Sequence, residues 1–354
     1  MSLPLIELDG SALARGEQHG SALRQQIAHN VAVYYDRFLR EGLLAADEVR
    51  QRAAHFLPLL ETYADYFDTM RGIASGADQP LIDIAMLNVR YELLYYQYSV
   101  LPVGGPDGCT AFALLPEVTR QHHLLIGENW DWIPEVQGAV MRTPETLSFT
   151  EAGIVGGKIG LNRAGVGLTV NGLLSTSDDW SQLVKPFHVR CQEILDAQTL
   201  EAAASVITGT RRGCSSNFVL AQAPDRAVDI EAAPGTSCGF GPANGALAHT
   251  NHFLEPDHLG VDEPHSERRP HSYSRLQRMR DLLAAGQPLG VDDLFQRLRD
   301  HDNYPDSICR HLHPDDPPEE ACVTVVSAVM DLNEGVLWLS DGPPCEQPYT
   351  RYAL

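Results

Sequence analysis

The chain carries 354 residues, with 47 acidic against 26 basic side chains, a net charge of −21, 44% hydrophobic and 21% charged residues. That balance excludes a disordered polypeptide, and the negative charge disfavours nucleic acid and anionic membrane surfaces, whose phosphates it repels. No run approaches the ~20 apolar residues of a membrane helix, and residues 1–10 lack the basic and apolar regions of a secretory leader, so a cytoplasmic setting is expected.

Residues 11–97 are predicted helical. Leu23, Ile27, Val31, Tyr34 and Phe38 recur at helical spacing over residues 21–39. Phe56, Leu57, Leu60, Tyr63 and Phe67 do so over residues 48–70, and Ile82, Ile84, Leu87 and Leu93 over residues 80–96. The texture changes at residue 100, where residues 101–108 read as a Gly- and Pro-rich loop. Short strand-like runs follow at 110–115, 123–127, 146–151, 158–161 and 165–170. Residues 187–204 turn helical, and 217–222 with 227–231 form a hairpin about Ala223-Pro224-Asp225-Arg226. A helix over 266–285, a surface loop over 313–320, and strands 322–332 and 336–339 complete the chain. Strands follow strands more often than they alternate with helices. That order predicts an α+β fold with antiparallel sheets covered by helices.

Seven cysteines stand at Cys109, Cys191, Cys214, Cys238, Cys309, Cys322 and Cys345. None forms a CxxC pair, so neither a zinc knuckle nor a disulfide scaffold is expected, and no metal or cofactor is assigned.

Cys109 is set apart by its position, after Asp107-Gly108 at the exit of the loop and the start of an apolar strand. A thiol held against the Gly108 carbonyl can attack it, giving a thioester that water opens. The freed α-amine, with a reference pKa of about 7.7–8.0, then accepts the thiol proton at neutral pH.

Four further constellations carry possible chemistry. Asp131, in Asn129-Trp130-Asp131-Trp132, ends the strand expected beside Cys109 and can orient an amine. In Ala248-His249-Thr250-Asn251-His252 the two histidines invite a metal reading, whereas the Asn251 amide can donate to an oxyanion. Arg310 can clamp a substrate carboxylate or a catalytic Asp. Asn171 closes the run 165–170 and can aim a second amide at a strand-end site. Gly153-Ile154-Val155-Gly156-Gly157-Lys158 lacks the Ser/Thr ending of a phosphate loop and reads as hairpin turns.

Together, Gly16-Glu17-Gln18-His19-Gly20, Arg71-Gly72-Ile73-Ala74-Ser75-Gly76, Met86-Leu87-Asn88-Val89-Arg90, Asp107-Gly108-Cys109-Thr110, Asn129-Trp130-Asp131, Thr150-Glu151-Ala152-Gly153-Ile154, His249-Thr250-Asn251-His252 and Asp302-Asn303-Tyr304-Pro305 with Ser307-Ile308-Cys309-Arg310 resemble, in order, the acyl-coenzyme A:isopenicillin-N (6-aminopenicillanate) acyltransferase family of N-terminal nucleophile (Ntn) hydrolases. The resemblance implies a four-layer αββα sandwich of two antiparallel sheets between helical layers. It also implies autocatalytic cleavage of Gly108–Cys109, giving an α chain of residues 1–108 and a β chain of residues 109–354 that stay associated as one folded domain. Cys109 would then be the nucleophile, Asp131 the carboxylate near the new amine, Asn251 the oxyanion-hole asparagine and Arg310 an active-site arginine, with Asn171 as a second oxyanion-side amide. The expected partner is a small-molecule amide or acyl-thioester, acyl-CoA included, and self-association into a homo-oligomer is left open. An uncleaved Cys-His hydrolase using His249 or His252, or a non-enzymatic binding protein on the same fold, are the alternatives.

Overall fold

Helices dominate the N-terminal third, as their periodicity predicts, with one short strand ahead of them. In order they are β1 (Leu5–Glu7), α1 (Ala12–Ala22), α2 (Arg24–Gly42), α3 (Ala46–Leu60), α4 (Ala64–Ala77) and α5 (Leu81–Val100). These come from a computed structural model that describes residues 2–101, 108–264, 270–313 and 321–354. Residues 102–107 of the loop assigned to 101–108, residues 314–320 of the surface loop assigned to 313–320 and the start of the helix assigned to 266–285 lie outside the described residues. The single helix expected over 48–70 is two, because Pro58 withdraws a backbone donor from the last turn of α3.

The remaining elements are β2 (Thr110–Leu114), β3 (Leu125–Trp132), β4 (Gly138–Arg142), β5 (Thr146–Glu151), β6 (Ile159–Asn162), β7 (Val166–Gly172), α6 (Phe187–Asp196) and α7 (Leu200–Thr208). Then follow β8 (Ser216–Gln222), β9 (Arg226–Ala233), β10 (Thr236–Phe240), β11 (Ala246–His249), α8 (Pro256–Leu259), α9 (Pro270–Ala284), α10 (Val291–Arg297), β12 (Val323–Asp331), β13 (Val336–Asp341) and β14 (Thr350–Ala353). The helix expected over 187–204 is also divided. Thr199 accepts from the Ala202 N–H at 3.1 Å and so starts α7 afresh. Sequence patterning does not reveal β10, whose residues are largely half-exposed and carry no apolar alternation.

Two sheets result, in the orders β1-β4-β5-β6-β7-β8-β9-β10 and β11-β2-β3-β12-β13-β14. Among the described residues every pairing between the named strands is antiparallel except β1 on β4, which corrects the expectation of purely antiparallel sheets. β1 arrives from the far end of the chain, so no hairpin fixes its direction. The sheets pack face to face through β2 and β3 against β7 and β8. Helices α6 and α7 cover the larger sheet, and α9 and α10 cover the smaller one. The result is the expected α+β four-layer αββα sandwich. Among the described residues no helix is long and apolar enough to cross a membrane.

Gly16 and Gly72 have a packing cause. α1 lies directly on α4: a methyl group on Gly16 would stand 2.1 Å from Thr69 O, and one on Gly72 2.2 Å from Leu13 O. From this contact His19 accepts the Gly153 N–H at 3.1 Å. Asn88 of α5 donates to Gly153 O and accepts from Val155 N–H, each at 2.9 Å. Two residues on, Arg90 pairs with Glu151, which also takes Lys158 and the Tyr34 hydroxyl. Burial alone would raise Glu151, but Arg90 and Lys158 hold its carboxyl down to about 2. Three helices are thus anchored to one turn between β5 and β6.

Candidate active site

Cys109 immediately precedes β2, and Thr110 pairs in register with Asn129 of β3. The pairing brings the thiol to the end of β3 that carries Asp131 and Trp132. The thiol is buried and donates to the Asp131 carbonyl at 3.6 Å. Burial, then the nearby Glu128 and Asp131 carboxyls, push its pKa well above the ordinary thiol value. In the intact chain it is therefore a protonated thiol and needs a base.

Gly108 is fitted to its surroundings from two sides. Its Cα faces Asp131, and Arg275 of α9 donates to its carbonyl oxygen at 2.6 Å. The same guanidinium nitrogen reaches Cys109 O at 2.7 Å and Thr110 Oγ1 at 3.1 Å. A cationic donor therefore sits on the carbonyl that a Cys109 thiol would attack, which polarises the carbon and stabilises negative charge on the oxygen.

The other predicted residues take distinct places. Asp131 Oδ1 accepts from the Thr324 hydroxyl at 2.7 Å, and that hydroxyl oxygen accepts from Arg310 N–H at 2.9 Å. Arg310 is therefore joined to Asp131 through its main chain and Thr324. Its guanidinium pairs with Asp306 at 2.7 Å. Asn251 donates to Gly172 O at 3.1 Å and accepts from Arg275 at 3.2 Å, bridging β7 to α9. Asn171 lies one residue before Gly172 and is buried. It accepts from the Asn217 amide at 3.3 Å, but its own NH2 group has no hydrogen-bond partner among the described residues. An unsatisfied buried donor is costly and calls for an explanation, of which a catalytic role is one.

Asn171 and Cys109 share one narrow cleft with a cavity volume of about 20 Å³, walled by Tyr91, Tyr95, Trp130, Trp132 and Phe187, with Arg90 and Lys158 beside them. Gly172 is required there, since a Cβ would stand 1.9 Å from the Tyr95 hydroxyl. Lys158 lies 3.1 Å from the centroid of the Trp130 ring. Burial lowers its pKa to about 8 against the opposing pull of Glu151.

The histidines of the 249–252 segment are committed elsewhere. His249 uses Nε2 on Glu231 at 2.8 Å and Nδ1 on the Thr250 carbonyl at 2.7 Å, and His252 Nδ1 meets Ser272 Oγ at 2.7 Å. Neither contacts the Cys109 thiol, and a metal shared by the pair has no open nitrogen on His249.

Arg275 and Thr324 escape the sequence reading. Arg275 did leave a signal: it falls on the same helical stripe as Met279 and Leu283, where an arginine must be buried and paired. Thr324 left none, being one of two hydroxyl residues in a largely apolar strand.

The layering is the four-layer αββα sandwich that the sequence resemblance implied. Residues 118–344 match the family described as acyl-coenzyme A:6-aminopenicillanic acid acyl-transferase, and the chain belongs to that family. It is 28% identical over 316 residues to the acyl-coenzyme A:6-aminopenicillanic-acid-acyltransferase 40 kDa form of Emericella nidulans, covering 86% of this chain and 84% of that one. Among solved structures it is similar to the Caenorhabditis elegans N-acylethanolamine-hydrolyzing acid amidase ortholog, with a TM-score of 0.46 and 13% identity over 63% of this chain and 93% of that chain. Penicillin V acylase from Agrobacterium tumefaciens gives a TM-score of 0.42 and 15% identity over 66% of this chain and 83% of that one.

Proposed function

We propose that this protein is a self-processing cysteine acyltransferase or amide hydrolase, activated by scission of Gly108–Cys109. The observation that carries the proposal is the juxtaposition at that bond. A buried thiol stands on one side, and Arg275 donates to the Gly108 carbonyl at 2.6 Å on the other. In processing, the Cys109 sulfur attacks the Gly108 carbonyl carbon while Arg275 holds the oxyanion. The C–N bond breaks, and the Cys109 nitrogen leaves as an amine carrying the proton from sulfur. Water then opens the thioester, leaving a Gly108 carboxylate, a free Cys109 thiol and its α-amine.

In turnover the α-amine takes the thiol proton and the thiolate attacks an amide or thioester carbonyl, with the Asn171 NH2 group donating to the oxyanion. The leaving amine or thiol departs with the proton, and water or an acceptor amine resolves the acyl-enzyme. Asp131, steadied by Thr324, orients the α-amine. Asn251 braces both carbonyl-binding arms through Gly172 and Arg275. The aromatic walls favour an apolar or aromatic acyl group, and the acyl-coenzyme A donor named for the Emericella relative is the first thioester to test. Continued association of chains 1–108 and 109–354 is supported by their shared core, in which Ile27, Tyr34, Leu87 and Leu94 pack with Trp130, Phe149, Leu168 and Phe218.

The test is Cys109→Ala. A single unprocessed chain without amide or thioester turnover is expected, against a wild-type β chain whose N-terminal sequence starts Cys-Thr-Ala-Phe. Two-chain processing in the variant, or full activity in uncleaved wild type, would overturn the proposal.

A further inference from the structure

Away from the cleft, four side chains from two segments converge on one point: His301, Cys309, His311 and Cys345. His301 Nε2 stands 3.2 Å from His311 Nε2. Cys309 Sγ is 3.6 Å from His311 Nε2 and 3.5 Å from Cys345 Sγ, and Cys345 Sγ is 3.3 Å from His311 Nε2. All four donor atoms lie within 4.8 Å of one another. Around a tetrahedral zinc, with bonds of about 2.3 Å to sulfur and about 2.0–2.1 Å to nitrogen, ligand atoms stand roughly 3.3–3.8 Å apart. Hydrogen bonding explains pairs, but it gives no reason for four soft donors to share one centre.

A second feature points the same way. His311 turns its other nitrogen, Nδ1, toward Glu346 Oε1 at 3.4 Å. A carboxylate behind the ring fixes the tautomer that leaves Nε2 open, as is usual for zinc-bound histidine. We propose that these residues form a Cys2His2 zinc site with a structural role. Four protein ligands close the coordination sphere, as structural sites require.

The site has a consequence for the cleft. Cys309 is followed by Arg310, whose N–H binds the Thr324 hydroxyl that in turn donates to Asp131. The metal would fasten residues 301–311 to the segment at Cys345, 36 residues away in sequence, and so hold Arg310 and Asp306 in place. The inference rests on residues that the proposed chemistry does not use, and its readout is metal content rather than turnover.

The experiment uses the full chain purified under reducing conditions without chelator. About one zinc per chain is expected by elemental analysis. Cobalt(II) in place of zinc should give tetrahedral d–d bands and a thiolate-to-cobalt charge-transfer band. Cys345 is exposed, so Cys345→Ser should fold normally, lose that charge-transfer intensity and bind zinc at least tenfold more weakly. A chain that neither carries nor takes up zinc, a cobalt spectrum without thiolate bands, or unchanged binding in Cys345→Ser would overturn the proposal.

Discussion

Gly108 rests directly on Asp131: a Cβ at Gly108 would stand 2.3 Å from Asp131 Cβ and 2.6 Å from its Oδ2. Asp131 has little room to retreat. Its strand is paired with β2 on one side and β12 on the other, and its carboxylate is tied to Thr324. Gly108→Ala should therefore displace the Gly108–Cys109 bond from its partners and slow processing at least tenfold. Overpacking of this kind typically costs about 1–3 kcal/mol of stability. A time course on a denaturing gel, read with a thermal melt, checks both; processing at the wild-type rate would show that the fit is incidental.

Arg275→Lys keeps the charge and loses the fork that spans Gly108 O, Cys109 O and Asn251. One oxyanion donor is typically worth about 2.7–4 kcal/mol, so cleavage should slow by roughly 10²–10³. The measurement is the first-order rate at which the intact chain disappears. Because the charge survives, a large fall would be assigned to donor geometry.

Asn171→Ala separates turnover from processing. Asn171 lines the cleft and makes no hydrogen bond to Gly108 among the described residues, so two-chain formation should be normal. The value of kcat on an amide or acyl-thioester should drop roughly 10²–10³ with a small change in KM. Steady-state kinetics on the processed variant decide, and wild-type kcat would remove Asn171 from the mechanism.

His19 predicts a pH dependence of stability. Burial lowers its pKa from 6.5 to about 4, and its Nε2 must stay unprotonated to accept the Gly153 N–H. The unfolded state therefore binds the proton more readily between those values. The contribution is complete above pH 6.5 and is lost as pH falls toward 4, amounting to about 3 kcal/mol. Glu92 and Asp178 act in the opposite sense, since burial raises each carboxyl to about 7. The useful quantity is accordingly the difference between wild type and His19→Gln in denaturant unfolding at pH 4.5 and 7.5. That difference should shrink as pH falls, and a pH-independent difference would contradict the assignment.

What the sequence alone determined was type and order. Residues 11–97 read as helical, with apolar periodicity from residue 21 onward. The Gly-Pro loop before Cys109 marked a change of texture, and the resemblance named Cys109, Asp131, Asn171, Asn251 and Arg310. The motifs behind that resemblance were legible because backbone geometry demands them locally: Gly16 and Gly72 admit no side chain where α1 meets α4. Only the tertiary structure decided which side chains meet. Arg275 reaches Gly108 from 167 positions away, and Thr324 reaches Asp131 from 193. Cys345 joins Cys309 without any CxxC spacing, so the proposed zinc site is not legible in the sequence. Hydrogen bonds and metal coordination act over about 3 Å in space. Sequence spacing reports such neighbours only within a single helix or hairpin, and packing α9 and β12 around the Cys109 strand is what creates the rest.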